Sequence, residues 1–304
     1  MVPAPDAPAR LPAWGFATLV LIALMMGANH VAARIAFDHG VDVVTAVSFR
    51  SAITASLVGA LLLWRRVPVQ LTARHRRALP AIGVLIAVQS LCLYSAVARL
   101  PVALALLAFN TYPLWVALWA RVVYGHRAER RVVHAMPVML LGLAMALDVF
   151  GAASGLGVAA QWSRIGSGVA FALTAAATFG LALVLTQHEA GALDGRLRAA
   201  STLAIVAVIA LAGVAAQGGP HLPNAAAGWW GLAALTFLYG TAFTIMFTVL
   251  PKLGVVGNSA IMNIEPIFAL GLGWALLGQT IAPLQIAGGL VVVATVAWLG
   301  WRRR

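Results

Sequence analysis

The chain has 304 residues, of which 62% are apolar and only 9% charged, and its mean hydropathy is +0.95. A soluble domain carries about 25% charged residues, so the solvent for most of this chain is lipid, which excludes a soluble enzyme or a cytosolic binding module. The net charge of +12 does not point to nucleic acid, because the cations fall in alternate loops rather than on one face.

A hydrocarbon core of roughly 30 Å takes about 20 apolar residues to cross as a helix. Ten such runs are predicted, at 14–35, 43–64, 79–98, 102–123, 133–150, 165–187, 199–217, 228–250, 255–277 and 283–301. They are continuously apolar and lack the alternation of barrel strands, so the fold class is an all-α integral membrane protein. The first run resembles a signal peptide, but Gly27 within it has a repeat counterpart, so a retained helix is predicted. With the N-terminus cytoplasmic, the inside segments hold Arg10, five arginines from Arg65 to Arg77, four from Arg121 to Arg131, Arg196, Arg198, Lys252 and Arg302 to Arg304. Arg34, Arg99 and Arg164 fall outside and Arg50 within the second span. The positive-inside rule then places both termini in the cytoplasm of a cell whose inner membrane holds the protein.

An internal repeat runs through the same spans. Asn110-x-x-Pro113 and Asn263-x-x-Pro266 lie 153 positions apart, each followed by a glycine, Gly125 and Gly278. At this offset Leu100 matches Leu253, Arg99 matches Lys252 and Gly27 matches Gly180. The division predicted is a first five-helix repeat over 1–151 and a second over 152–304, in one membrane domain without a soluble module. Five spans per half invert the second repeat relative to the first. Repeats of that kind in secondary transporters meet at a midplane substrate site.

Of the eight acids, Glu265 alone lies about ten residues into a span, near the bilayer centre, where an ionisable group is costly and a functional candidate by default. Pro266 has no N–H and frees the carbonyl four residues back; Pro113 does the same beside Asn110 and Tyr112. Tyr112 is the repeat counterpart of Glu265, which sets a phenol against a carboxyl. Two readings stand for Glu265: a group in the transport path, or the partner of a neighbouring polar side chain. Arg50 reads as a snorkelling or helix-pairing cation, or as the contact for a substrate carboxylate. Asn29 and His30 lie deep in the first span, and His30 joins the candidate substrate contacts, with a structural histidine as the alternative. Tyr94 and Tyr239 lie on polar and aromatic stripes of the third and eighth spans. These stripes suit a cavity wall or a helix contact. Trp115 lies close enough to Pro113 to line a cavity, and is otherwise lipid-facing with Trp119. The candidate substrate contacts are therefore His30, Tyr94, Asn110, Tyr112, Trp115, Tyr239, Asn263 and Glu265, with Pro113 and Pro266 as hinges. Cys92 is the only cysteine, and no phosphate loop, His-Glu-x-x-His or Gly-x-Ser-x-Gly pattern is present, so neither cofactor, metal nor enzymatic activity is expected.

The segments Gly27-Ala-Asn29-His-Val-Ala, Phe49-Arg50, Asn-x-x-Pro-Leu-Trp from Asn110, and Glu265-Pro266-Ile-Phe-Ala-Leu with Gly278 resemble the EamA family of the drug/metabolite transporter superfamily. Within it the chain is similar to bacterial amino-acid and metabolite exporters, including those for aromatic amino acids. The resemblance implies a 5+5 inverted-repeat carrier of the inner membrane with a central cavity, the fifth and tenth spans lying at the periphery. His126 and Gln279 stand where the family often has an acid after the glycine. The expected function is alternating-access export of amino acids or similar amphipathic metabolites, with a small-molecule solute and the lipid bilayer as partners. Efflux of drugs or nucleotide-sugar-type solutes is the alternative. A membrane-embedded enzyme or channel subunit is the rival from another class.

Overall fold

The computed structural model describes residues 13–66, 69, 71–126, 130–249 and 264–301. Among them there is no strand, and eleven helices follow in order: α1 Ala13–Asp38, α2 Val43–Trp64, α3 Ala73–Arg99, α4 Val102–Phe109, α5 Tyr112–Tyr124, α6 Arg130–Ala146, α7 Val158–Glu189, α8 Gly195–Ala216, α9 Ala226–Val249, α10 Glu265–Leu277 and α11 Pro283–Trp301. Among the described residues seven spans are long and apolar enough to cross a membrane, with α4 and α5 together forming Val102–Tyr124, and the shorter apolar helices are Val133–Ala146, Glu265–Leu277 and Pro283–Trp298.

Two helices begin well ahead of their predicted apolar runs, α3 at Ala73 against 79 and α7 at Val158 against 165. At α3 the Thr72 hydroxyl accepts from the His75 N–H at 3.3 Å and the His75 ring accepts from the Thr72 N–H at 3.4 Å, a capping box that starts the helix at Ala73. Arg74, Arg76 and Arg77, predicted in a loop, therefore ride on its first turns. The loop predicted over 151–164 ends at Gly157, and Gln161 in the first turn of α7 donates to the Leu147 carbonyl at 3.2 Å. Helical hydrogen bonds are internal, so a helix continues beyond the hydrocarbon without an apolar composition to mark it.

The repeat is visible in the helix bounds. Adding 153 to Tyr112–Tyr124 gives Glu265–Leu277, the limits of α10. Both helices carry proline in the first turn and end on a left-handed glycine, Gly125 at φ 70° and Gly278 at φ 62°. Each end is closed alike: the His126 N–H reaches the Ala120 carbonyl at 3.1 Å, and the Gln279 N–H the Gly273 carbonyl at 3.1 Å. Packing obeys the same symmetry, since α1 packs on α9 and α10 while α7 packs on α3 and α5. A Cβ on Gly27 would sit 3.0 Å from the Glu265 carbonyl and 3.3 Å from the Phe268 Cβ. One on Gly180 would sit 2.8 Å from the Trp115 Cβ, and Trp115 is the counterpart of Phe268. The two glycines thus set equivalent close crossings, as small residues do between helices in lipid. Helices α6 and α11 pack against each other, where a Cβ on Gly288 would meet the Gly142 carbonyl at 2.5 Å.

Candidate functional site

Two broken helices frame the centre. Pro113 cannot donate to the Phe109 carbonyl, and α4 ends there; Asn110 and Thr111 lie between the helices, 9% and 1% exposed, before α5 resumes at Tyr112. The carbonyl that Pro113 frees thus lies at a break between two helices. In the second repeat α10 begins at Glu265 itself, after a 3₁₀ residue at Ile264. The carboxylate of Glu265 therefore sits in the first turn of a helix, where unpaired N–H groups and the helix dipole favour negative charge. Asn263 lies outside the described residues.

The crossing at Gly27 brings α10 against α1, and His30 Nε2 lies 3.3 Å from Glu265 Oε1, with side-chain exposures of 3% and 23%. The pairing expected of Glu265 as one of two readings is made, with His30 as the partner. Tyr94, fully buried, donates its hydroxyl to Asn29 Oδ1 at 3.0 Å, and its ring centroid is 5.4 Å from that of His30. Arg50, also buried, is sandwiched: its guanidinium carbon lies 4.5 Å from the Tyr94 ring centre and 3.8 Å from that of Tyr239. Among the described residues Arg50 makes no ion pair. A buried unpaired charge is costly, and a ring face on each side offsets part of that cost, about 2 kcal/mol per desolvated contact. Asn29 Nδ2, His30 Nδ1, Arg50 Nε and Thr54 Oγ1 have no hydrogen-bond partner among the described residues. Four unsatisfied polar atoms around two tyrosines suit a polar occupant better than a sealed core.

The opposite half of the centre is aromatic. Phe109, Tyr112 and Phe179 form a triangle with centroid separations of 5.8, 5.3 and 5.2 Å. Trp115 backs onto α7 at Gly180, and Trp119 donates to the Ala177 carbonyl at 2.9 Å, so both tryptophans fasten α5 to α7. The expected contacts therefore divide. Tyr94 and Tyr239 enclose Arg50, His30 packs on Tyr94 and Glu265 pairs with His30, whereas Tyr112 and Trp115 belong to the aromatic group. Because Tyr112 and Glu265 are counterparts, the repeat relates a polar half to an aromatic one.

The two ends of the bundle differ. At the end where α3 begins and α5 and α7 finish, Glu189 accepts from Arg74 Nε at 2.5 Å and from the Tyr124 hydroxyl at 2.6 Å. His188 stacks on Tyr124 at 3.9 Å there. At the opposite end lies a cavity of about 570 Å³ lined by Arg34, Arg99, Arg164, Asp148 and Gln279, among others. Asp148 is buried and caps its loop by accepting from the N–H groups of Ala153 at 2.9 Å and Ser154 at 2.8 Å. Burial pushes its carboxyl upward, but these hydrogen bonds outweigh it and hold the group below the usual aspartate value.

Residues 13–147 and 166–301 each match the EamA-like transporter family, one copy per repeat. The chain belongs to that family. Fifteen chains of solved structures also match. One, titled only "Crystal structure of protein", shares 20% identity at a TM-score of 0.60, over 93% of this chain and 98% of its own, and shows likeness of fold. No curated protein matches the sequence. This EamA-like chain is a multi-pass membrane transporter built from two repeats. For its central cation, Arg50, a helix-pairing role and a carboxylate contact were both expected, but depth in a span does not reveal which rings a side chain meets. The spacing of Arg50 and Thr54, i and i+4 on one helix face, was the available signal.

Proposed function

We propose that this EamA-like transporter exports amino acids, or similarly small amphipathic metabolites, from cytoplasm to periplasm by alternating access. It crosses the inner membrane ten times as two inverted five-helix repeats, divided between residues 151 and 152. Both termini face the cytoplasm. The observation that carries this reading is the pairing of unlike halves at the two helix breaks: Arg50, His30, Glu265 and the tyrosines on one side, Phe109, Tyr112 and Phe179 on the other. A solute with a carboxylate, an ammonium and an apolar side chain finds a match for each part: a guanidinium, a carboxylate at a helix start, and an aromatic wall. Asn110 and Asn263 supply hydrogen bonds beside the breaks, and Pro113 and Pro266 act as the hinges on which one half rocks against the other. The Arg74–Glu189–Tyr124 contact closes the cytoplasmic end in this conformation, and the cavity lies at the periplasmic end.

The test is solute counterflow in proteoliposomes with a panel of labelled amino acids, run with and without a pH gradient. A carrier preloaded with cold substrate accumulates label transiently. Label that only equilibrates would indicate a channel, and no exchange of any amino acid would remove the substrate class.

A further inference from the structure

The cavity at the end opposite Glu189 continues into an apolar groove. The groove runs between α4, α10 and α11, is lined by Leu107, Pro266, Leu270, Ile286 and Leu290, and shares Leu104, Ile281 and Gln285 with the cavity. Pro266 lies in the first turn of α10, so the groove extends from the helix ends down to the level of the helix break. Leu290, Ile286 and Ile267 along it are 55%, 38% and 43% exposed, which makes this a lateral opening toward lipid rather than an internal void.

The charges above the groove are unbalanced. Arg34 is committed to Asp38 at 2.9 Å and to the carbonyls of Val97 and Ala98 at 3.1 Å each. The carboxylate of Asp148, the cavity's acid, is taken up by the Ala153 and Ser154 N–H groups. Arg99 and Arg164 remain, exposed and without an ion pair among the described residues. Arg99 is held in place by a 2.8 Å bond to the Ser95 carbonyl and by the Phe171 ring 4.7 Å from its guanidinium. A guanidinium oriented this way offers the fork that phosphate oxygens fit.

We infer that this cavity and groove together bind one anionic phospholipid from the adjoining leaflet, its phosphate at Arg99 and Arg164 and an acyl chain laid along α4, α10 and α11. A zwitterionic amino acid would leave the groove empty, and a soluble anion would have no use for it. The chain of a bound lipid reaches Pro266, next to Glu265, so lipid occupancy bears on the helix start that holds the central carboxylate.

The test uses the purified full-length protein in detergent. Native mass spectrometry measures retention of phosphatidylglycerol against phosphatidylethanolamine of the same chain length. Wild type is expected to retain the anionic lipid preferentially. Because each arginine near an anionic headgroup contributes about fivefold, the Arg99→Gln/Arg164→Gln double variant should lower that preference roughly twenty-five-fold. Ile286→Trp, which fills the groove, should weaken both lipids alike and leave the preference intact. Equal retention of the two lipids by wild type, or an unaltered preference in a double variant of native helicity, overturns the proposal. Displacement of phosphatidylglycerol by glycerol phosphate at equal concentration overturns it in favour of a small-anion site.

Discussion

Glu265→Gln keeps the size of the side chain and its place at the start of α10 while removing the charge and the titration. At 3.3 Å from His30 Nε2, the carboxylate makes a charge-assisted contact, worth about 1.5–3 kcal/mol, and the amide oxygen can accept from the same nitrogen for about 1 kcal/mol. The difference is about 1–2 kcal/mol, and with the Glu265 side chain 23% exposed the lower figure applies to stability, so the fold is expected to survive with about 1 kcal/mol lost. A substrate ammonium contacting the carboxylate would lose a charge-assisted bond as well, weakening apparent affinity about tenfold. Export from proteoliposomes is measured across a pH series, beside exchange at equal pH. If Glu265 carries the coupling proton, the variant loses the pH dependence of export and keeps exchange. If it holds the ammonium, both fall together. Export and pH dependence that match wild type would refute both roles and leave Glu265 as the structural partner of His30.

Arg50→Lys keeps the charge but loses planar stacking between Tyr94 and Tyr239; a loss of about 1–2 kcal/mol is expected in thermal or denaturant unfolding in detergent, with weakened binding of carboxylate substrates, and a variant unchanged in both would contradict the cage. Pro113→Ala and Pro266→Ala each restore a donor at a helix break, so turnover should fall more than solute affinity does; two single variants with wild-type turnover would make the prolines packing features. Asp148→Asn retains a residue tolerant of the left-handed φ of 50° but gives up the carboxylate that caps the loop, and should cost about 1–2 kcal/mol at neutral pH. Because the carboxyl is held below its unfolded value, that stabilisation is present above roughly pH 4 and fades as pH falls through the folded value, so wild type and variant should converge in acid. Unfolding midpoints compared from pH 7 downward check the convergence.

Much of the architecture is written in the local chain. Run length alone predicts the seven long spans among the described residues, because a helix in lipid satisfies its backbone internally and needs little beyond apolar residues. The repeat and its offset are legible because proline and left-handed glycine act on their own backbone: Pro113 and Pro266 fix where α5 and α10 begin, and Gly125 and Gly278 where they end. What tertiary structure decided is which side chains meet. The facing side of a helix in this chain is almost as apolar as its lipid side, so periodicity in α2 or α9 could not say that Arg50 and Tyr239 point at each other. His30 and Glu265 lie in different repeats, and their contact depends on a Gly27 crossing set by packing rather than by any local preference. The polar cavity and its lipid-facing groove were equally out of reach, since Arg99, Arg164 and Gln285 come from three separate chain segments and only the closing of the bundle brings them to one end.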